Sequence, residues 1–312
     1  MQMRPDSRPS LKKQKLHFND EHASGVFPDA SFFVEAAKIM PVTITSRRNE
    51  LVREYVHLTS SAQYRREQKQ IPLEGARLCA DAARSGLQPL LLLCTEEASG
   101  KYGEYLAPIR ACSPYEYILS PSVAQALSDT KSPQGVFCVC AKPDESEALP
   151  VPQGGNHILV LENIQDPANL GAVLRTAEAV GIAGVVLAGN GCDAFSPKAL
   201  RAGMGAAFRL PVYLRENAAD AIQLLNQSGF RTYAAVPDSV AVPVTSVNFS
   251  FPAAAVIGNE GNGLTREVID ACTERVTIPM AGRAESLNAA ASAAIFMWEM
   301  MRGKGTGDVG GF

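Results

Sequence analysis

The chain has 312 residues, of which 46% are hydrophobic and 20% are charged, and its formal net charge is -3. This length allows two ordinary domains, each with a buried core of its own. The small net charge excludes nucleic-acid binding through overall basicity, so any such binding has to depend on a local patch.

The seven cysteines are odd in number and lie mostly in apolar segments, with no CxxC pair and no companion histidines. This pattern indicates buried, reduced thiols in a cytoplasmic protein and speaks against a metal site. The sequence has no apolar segment of about eighteen residues, the usual length of a membrane span, and its N-terminus has no hydrophobic signal core. We therefore expect a protein that binds neither a metal nor a membrane.

Residues 1–40 are polar and irregular, with scattered basic side chains among proline and serine. Three interpretations are open: a disordered segment, a small basic arm that touches RNA, or extra translated sequence before a natural start at Met40. We favour the two interpretations in which this segment has no function.

A capped helix is predicted from about Glu50, and a second basic segment follows at 64–69. Residues 45–70 contain six Arg or Lys against three Glu. This excess suits a surface that faces phosphates, although a solvated helix face is the more common meaning of such charge. From this region we assign RNA contacts to Arg47, Arg48, Arg53, Arg65 and Arg66.

Helices and strands then alternate up to residue 141. A helix ends near Ser85, strands are predicted at 89–94, 116–119 and 135–140, and Ser120 opens another helix. Glu74 and Gly75 are expected to form a turn at a strand end. The pattern predicts a compact α/β domain over 41–141, followed by a linker over 142–155 that is rich in proline, glycine and acidic residues.

A second domain is predicted over 156–304, with strands at 157–161, 184–188, 209–213, 230–235 and 253–257 and a last strand near 277–280. Helices are expected at 170–180, after Ser196 and at 218–227, with Asn169 as the N-cap of the first helix and Gly181 as its end. Repeated strand-then-helix units imply a parallel sheet that is covered on both faces.

The segment 253–292 contains two chain reversals, each after a strand and before a helix. Such reversals gather backbone N–H and C=O groups at one edge of a sheet, which is how a small-molecule pocket forms. The glycines of the first reversal, Gly258, Gly261 and Gly263, are spaced GxxGxG. The dinucleotide fingerprint is GxGxxG, so a hydride-transfer enzyme is disfavoured.

Several polar residues of this domain have a structural and a functional interpretation. Arg175 is either in a surface ion pair with Glu178 or part of a site, and Asn169 is either a helix cap or a catalytic group. Ser286 lacks the surroundings of a nucleophile. Ser286 and Asn288 are better explained as hydrogen-bonding groups at the start of an alanine-rich helix.

Three segments in this order resemble the SpoU (TrmH-like) family of RNA ribose 2′-O-methyltransferases: NLGAVLRTA at 169–177, IGNEGNGL at 257–264, and IPM at 278–280 with SLNAAAS at 286–292. SPKALRAGMG at 196–205 also fits, although family members often have serine at the position of Gly203. In the first domain, ITSRRN at 44–49 and EGARL at 74–78 resemble the substrate-binding domain of the ribosomal RNA members.

The resemblance implies a parallel α/β domain with a deep trefoil knot, which binds S-adenosylmethionine and pairs with a second copy of the chain. The cofactor-binding residues it implies are Gly258, Asn259, Glu260, Gly261, Gly263, Leu264, Ile278, Pro279, Met280, Ser286, Leu287 and Asn288. The catalytic and RNA-positioning residues it implies are Asn169, Arg175, Glu260, Ser286 and Asn288. We add Lys198 and Arg201 to the predicted RNA contacts.

The implied reaction is methyl transfer to a ribose 2′-hydroxyl, most simply of 23S ribosomal RNA. A base-like role, which the family assigns to the counterpart of Arg175, conflicts with a guanidinium pKa above about 12. We favour a role in which Arg175 holds a neighbouring phosphate and stabilises charge on the 2′-oxygen while a phosphate oxygen takes the proton. Two alternatives are open: the same reaction on transfer RNA, and a non-catalytic RNA-binding protein. The sequence does not define the methylated nucleotide.

Overall fold

The structure, a computed structural model, describes residues 42–144, 148–152 and 156–302. These residues form two α/β domains, each built around one sheet. The predicted N-terminal segment 1–40 and parts of the predicted linker lie outside the described residues.

The N-terminal domain contains a five-stranded sheet with the order β1-β4-β3-β5-β2. Its strands are β1 (Thr43–Ile44), β2 (Gln70–Glu74), β3 (Pro89–Thr95), β4 (Glu116–Leu119) and β5 (Val136–Ala141). The strand β5 runs antiparallel to both β2 and β3, whereas β1, β4 and β3 are parallel. The sheet is therefore mixed, and Glu74 ends a strand as predicted.

Among the described residues, six helices cover this sheet: α1 (Glu50–Ser60), α2 (Ala62–Gln68), α3 (Ala76–Arg84), α4 (Glu96–Lys101), α5 (Gly103–Cys112) and α6 (Pro121–Leu127). Asn49 caps α1 by accepting the N–H of Leu51. The helices α4 and α5 replace what the sequence presents as a looser stretch. Gly100, Gly103 and Pro108 obscure their periodicity, and the pair forms because Thr95 caps α4 and Leu106 and Ile109 are buried.

The C-terminal domain contains a seven-stranded sheet with the order β10-β12-β9-β11-β6-β7-β8, and all its pairs are parallel. The strands are β6 (His157–Glu162), β7 (Gly184–Ala188), β8 (Val212–Arg215), β9 (Arg231–Ala235), β10 (Val242–Pro243), β11 (Ala253–Ile257) and β12 (Glu274–Thr277). In the centre, β11 and β6 pair from Ala253 beside His157 to Ile257 beside Leu161, and both strands are fully buried. This confirms the predicted parallel, doubly covered sheet.

The helices of this domain are α7 (Pro167–Val180), α8 (Pro197–Ala202), α9 (Ala218–Ser228), α10 (Arg266–Ala271) and α11 (Ala289–Arg302). The prediction that Asn169 caps α7 is wrong, because Asp166 accepts the N–H of Ala168 and Pro167 is the first helical residue. Gly181 ends the helix in a left-handed conformation as predicted. The strand predicted at 209–213 begins three residues later, after a 3₁₀ turn at Ala206–Phe208.

The two domains share a continuous hydrophobic core, in which α8 packs against β2. A buried ion pair joins them at the edge of this core: the Arg65 guanidinium lies 2.7 Å from the Asp193 carboxylate and also donates to the carbonyl oxygens of Leu58 and Thr59. Only 4% of the Arg65 side chain is exposed. The prediction that Arg65 contacts RNA is therefore wrong, since its donors are used inside the protein.

All seven cysteines are free thiols, of which four are buried, Cys192 and Cys272 are half-buried and Cys112 is exposed. Within the described residues, no helix has the length and apolar character required to cross a bilayer.

We predict that Asp193→Ala lowers the free energy of unfolding by about 3–5 kcal/mol, because the substitution leaves the Arg65 charge buried without its partner. Urea denaturation measures the change. Arg66→Ala is the matched control, since Arg66 is the exposed neighbour on the same helix, and it should change stability by less than about 0.5 kcal/mol. Equal losses for the two variants would show that the ion pair does not hold the domains together.

Candidate active site

A cleft of about 460 Å³ lies at the carboxyl ends of β9, β11 and β12. These strands are neighbours in one parallel sheet, so the segments that follow them meet at the same edge. The predicted cofactor residues line the cleft, apart from Pro279 and Asn288. The structure thus brings together two chain reversals that the sequence pattern could only place near each other.

The loop after β11 folds back closely on itself. Asn259 and Gly263 exchange two backbone hydrogen bonds of 2.9 and 3.1 Å, and the Asn259 side chain accepts the N–H groups of Gly261 and Asn262. A Cβ atom on residue 258 would lie 2.2 Å from the carbonyl carbon of Gly263, which only glycine avoids. Gly258 is therefore required for the crossing of the two arms of the loop.

Both apolar and charged side chains line the cleft. Ile257, Leu264, Ile278 and Phe296 supply apolar surface, and Asp238, Arg266 and Arg275 are the charged residues that the sequence analysis missed. Asp238 follows β9, and a sheet order of β12-β9-β11 places the end of β9 between the two predicted loops. The sequence predicts the strand β9 but not which strands lie beside it in the sheet. The contribution of Asp238 to the cleft could therefore not be inferred.

Three of the predicted catalytic residues form a chain of hydrogen bonds. Glu260 accepts the backbone N–H groups of Gln165 and Asp166 at 3.1 Å and the side-chain amide of Asn169 at 3.0 Å. The amide oxygen of Asn169 accepts the Nδ2–H of Asn288 at 3.0 Å. The loop after β11, the start of α7 and the start of α11 are joined in this way.

The carboxylate of Glu260 is held in its ionised form. Partial burial raises the pKa of Glu260, but the hydrogen bonds from Asn169, Gln165 and Asp166 outweigh this effect and lower the pKa below its ordinary value. The group therefore remains an acceptor for all three donors at neutral pH. Its exposure on the cleft side leaves it accessible to a bound molecule.

Asn288 is also a hydrogen-bonding group at the start of α11, as expected from the sequence, because its side chain accepts the N–H groups of Ala290 and Ala291. Ser286 lines the cleft but precedes the helix by three residues, and its hydroxyl makes no hydrogen bond within the described part of the chain. Pro279 is exposed beside the cleft. Ser286 is thus a free polar group at the rim.

Arg175 lies on the exposed side of α7, about 9 Å along the helix from Asn169. The suggested ion pair with Glu178 is wrong, because Glu178 pairs with Arg209. Among the residues that the structure describes, the Arg175 guanidinium has no hydrogen-bond or ion-pair partner. The structure does not bring Arg175 into the chain of Glu260, Asn169 and Asn288 within one copy of the protein.

The other predicted RNA contacts differ in accessibility. Arg47, Arg48, Arg53 and Arg66 are exposed on or near the first two helices. Lys198 is exposed beside the N-cap Asp166, at 3.3 Å, and Arg201 is bound to Glu74 of the other domain at 3.1 Å. Arg201 therefore contributes to the domain junction as well as to any surface for RNA.

Fold and site together define an α/β protein with a nucleotide-sized cleft over the carboxyl ends of a parallel sheet and a polar junction beside it. Comparison with known proteins assigns it further: residues 156–298 match the model of the SpoU rRNA Methylase family, and residues 49–138 match an MRM3-like substrate binding domain. The chain belongs to the SpoU rRNA methylase family.

Two curated relatives illustrate this similarity. An uncharacterised tRNA/rRNA methyltransferase of Synechocystis is 31% identical over 83% of this chain and 93% of its own length. The 23S rRNA (guanosine(2553)-2′-O)-methyltransferase RlmP of Bacillus subtilis is 34% identical over 59% of this chain and 71% of its own length.

Solved structures extend the similarity to both domains. An AdoMet-bound rRNA methyltransferase from Sinorhizobium meliloti has a TM-score of 0.75 at 28% identity and covers 83% of this chain and 97% of its own. A structure described as an RNA 2′-O ribose methyltransferase has a TM-score of 0.72 at 29% identity, over 84% and 98% of the two chains.

We predict that Gly258→Ala lowers thermal stability by several degrees and distorts the loop, since the added methyl group would collide with backbone that has no room to move. Gly261→Ala in the same loop is the control. Its Cβ would meet only the Asn259 side chain, at 3.6 Å, so little change is expected. Differential scanning calorimetry compares the two variants, and similar melting temperatures would contradict the steric argument.

Proposed function

We propose that this protein transfers a methyl group from S-adenosylmethionine to a ribose 2′-hydroxyl of ribosomal RNA. The observation that carries this proposal is the chain from Glu260 through Asn169 to Asn288, which joins the cofactor cleft to the helix that bears Arg175. Membership of the SpoU family and the methyltransferases among its relatives support the reaction type. The MRM3-like substrate binding domain supports ribosomal RNA.

The cleft suits S-adenosylmethionine in size and in chemistry. Its volume falls within the range of about 300–1,000 Å³ that is typical of small-molecule sites. Ile257, Leu264 and Phe296 offer apolar surface for an adenine ring, and the tight loop at 258–264 presents backbone groups for hydrogen bonding. Asp238 and Arg266 can bind the hydroxyl and charged groups of the same molecule.

S-adenosylmethionine would supply a methyl group already activated on a sulfonium, so the protein has only to align the reactants and assist loss of the hydroxyl proton. Glu260 fixes the start of α7 against the cofactor loop, and Asn169 and Asn288 fix the start of α11 against the same helix. These contacts hold the walls of the cleft and the ribose-binding side in one geometry. Ser286 is a free hydroxyl at the rim for the bound reactants.

Arg175 serves the acceptor side of the reaction in this proposal. Its guanidinium is exposed and has no partner among the described residues, so it can bind a phosphate next to the target ribose and stabilise negative charge on the 2′-oxygen. The proton then passes to a phosphate oxygen, because a guanidinium does not act as a base near neutral pH.

Two tests separate this function from the alternatives. Methyl transfer is assayed on purified ribosomal RNA and on transfer RNA, and we expect incorporation into ribosomal RNA only, with the product mapped as a 2′-O-methylribose. Incorporation only into transfer RNA would favour that substrate. A lack of S-adenosylmethionine binding in calorimetry would favour a non-catalytic RNA-binding protein.

We predict that Arg175→Ala lowers kcat by about 10²–10³-fold, as is usual for loss of one donor that stabilises transition-state charge. The affinity for S-adenosylmethionine should stay constant, since Arg175 does not line the cleft. Arg231→Ala is the control, because Arg231 is an exposed arginine at the opposite, amino end of β9 and should keep normal turnover. Normal turnover of Arg175→Ala would make this residue part of the surface only.

We also propose a homodimer formed through the C-terminal domain. Trp298 on α11 is 62% exposed, while the opposite side of that helix is buried in the core. A large apolar side chain in this position suits an interface between two copies. A second copy would also bring its Arg175 to the ribose-binding side of the site, outside the cofactor cleft.

Trp298→Glu should therefore shift the protein from a dimer, of twice the 33.2 kDa chain mass, toward a monomer in light scattering. Phe251→Glu is the control and should remain a dimer, since Phe251 is 59% exposed but lies at the amino edge of the sheet, outside α11. A monomeric unmodified protein, or a dimer that withstands Trp298→Glu, would contradict this interface.

The trefoil knot, the domain limits at 41–141 and 156–304, and a location in the cytoplasm stay predictions. The shared core and the ion pair between Arg65 and Asp193 support the proposal that the two domains act as one RNA-binding unit.

A further inference from the structure

A second cleft of about 1180 Å³ lies at the carboxyl ends of β6, β7 and β8, next to the candidate active site. The helix α2 of the N-terminal domain forms one wall, and the segments that follow β7 and β8 form the floor and the other wall. This volume exceeds the range of about 300–1,000 Å³ for small-molecule sites, so it suits a stretch of polymer better than a single small ligand.

Within the part of the chain that the structure describes, two arginines in this cleft have no side-chain partner. The Nε of Arg215 at the end of β8 is buried without a hydrogen-bond partner, and among the described residues its guanidinium forms no ion pair. Arg66 on α2 is exposed on the opposite wall and is likewise unpaired within the described residues. A buried donor without an acceptor is costly, and a bound anion would remove this cost.

The position of Arg66 follows from the ion pair of its neighbour. Arg65 is fixed to Asp193, which lies in the loop after β7, and this contact holds α2 over the cleft. The two adjacent arginines therefore have different roles: Arg65 joins the domains, and Arg66 remains available to a ligand.

Hydrogen bonds of Gln165 connect the second cleft to the candidate active site. The backbone N–H of Gln165 donates to Glu260, and its side-chain amide donates to the carbonyl of Asn190, which lines the second cleft, at 2.6 Å. The N–H of Asn190 in turn donates to the Asn163 side chain at 2.7 Å. A single-stranded polymer that occupies both clefts would cross only the short protein segment from Asn163 to Asp166.

We infer that the second cleft binds one or two nucleotides of the RNA strand next to the methylated ribose, with Arg66 and Arg215 on their phosphates. The apolar residues Ile164, Leu187 and Leu214 face the bases, and Asn190 and Asn217 supply hydrogen-bonding groups for their edges. This inference rests on the proposed function, because it takes RNA as the substrate. It adds a subsite for the flanking nucleotides and assigns a role to Arg215.

The test measures binding of 23S ribosomal RNA by filter retention over a range of salt concentrations, for the unmodified protein, Arg215→Gln and Arg66→Gln. Each variant should weaken binding by roughly tenfold. Each should also reduce the slope of log Kd against log salt by about 0.7, the contribution of one phosphate contact on a single strand. Arg84→Gln is the control, since Arg84 on α3 is exposed and lies outside the cleft.

Melting temperature and S-adenosylmethionine affinity should be unchanged in both cleft variants. Arg215→Lys should restore the salt slope, because it keeps the charge, without restoring full affinity. RNA that contains 4-thiouridine should crosslink to the segments 189–193 or 214–220 in the unmodified protein. Values of Kd and slope equal to those of Arg84→Gln, or crosslinks that lie only outside these segments, would overturn the inference.

The two proposals fail in different ways. An unmodified protein that binds RNA through Arg66 and Arg215 but transfers no methyl group would refute the proposed function and keep the cleft as an RNA site. Methyl transfer by the unmodified protein, together with unchanged RNA binding by both cleft variants, would refute only the inference that the second cleft binds RNA.

Discussion

The carboxylate of Glu260 is the contact on which the rest of the site depends. Two backbone N–H groups that precede α7 and the amide of Asn169 all donate to it. These donors would otherwise lack partners at the start of the helix, and an ionised carboxylate satisfies them better than any neutral group. The need of these backbone N–H groups for an acceptor therefore fixes the cofactor loop to α7, and this contact sets the shape of the cleft.

Much of the fold follows from local patterns. The alternation of buried strands and amphipathic helices over 157–257 predicts the parallel sheet, and Gly181 and Ser196 mark helix ends where the structure has them. The errors have local causes too. Asp166 and Pro167 are the stronger start signal, so α7 begins before Asn169 and includes it. The Asn169 amide is then available for hydrogen bonds with Glu260 and Asn288.

Local sequence patterns predicted the site only where residues adjacent in sequence form it, and the grouping of Asn169, Glu260 and Asn288 was implied by the family resemblance alone. The loop at 258–264 was recognised from its glycines, whereas Asp238 and Arg215 depend on the order of strands in the sheet, which no single segment encodes. Arg65 shows the same limit. Its sequence neighbours suggest a basic surface, but the acid that binds it, Asp193, is 128 residues away in the other domain.

The long separation of the three linked side chains has a consequence for synthesis of the protein. Glu260 is 91 residues from Asn169, and Asn288 is 119 residues from it. Contacts of such high sequence separation form late, because a long loop has to close before they contribute any stability. A chain still emerging from the ribosome lacks the complete site until α11 has been made. The hydrogen bonds that link Glu260, Asn169 and Asn288 are therefore completed only after α11 has left the ribosome.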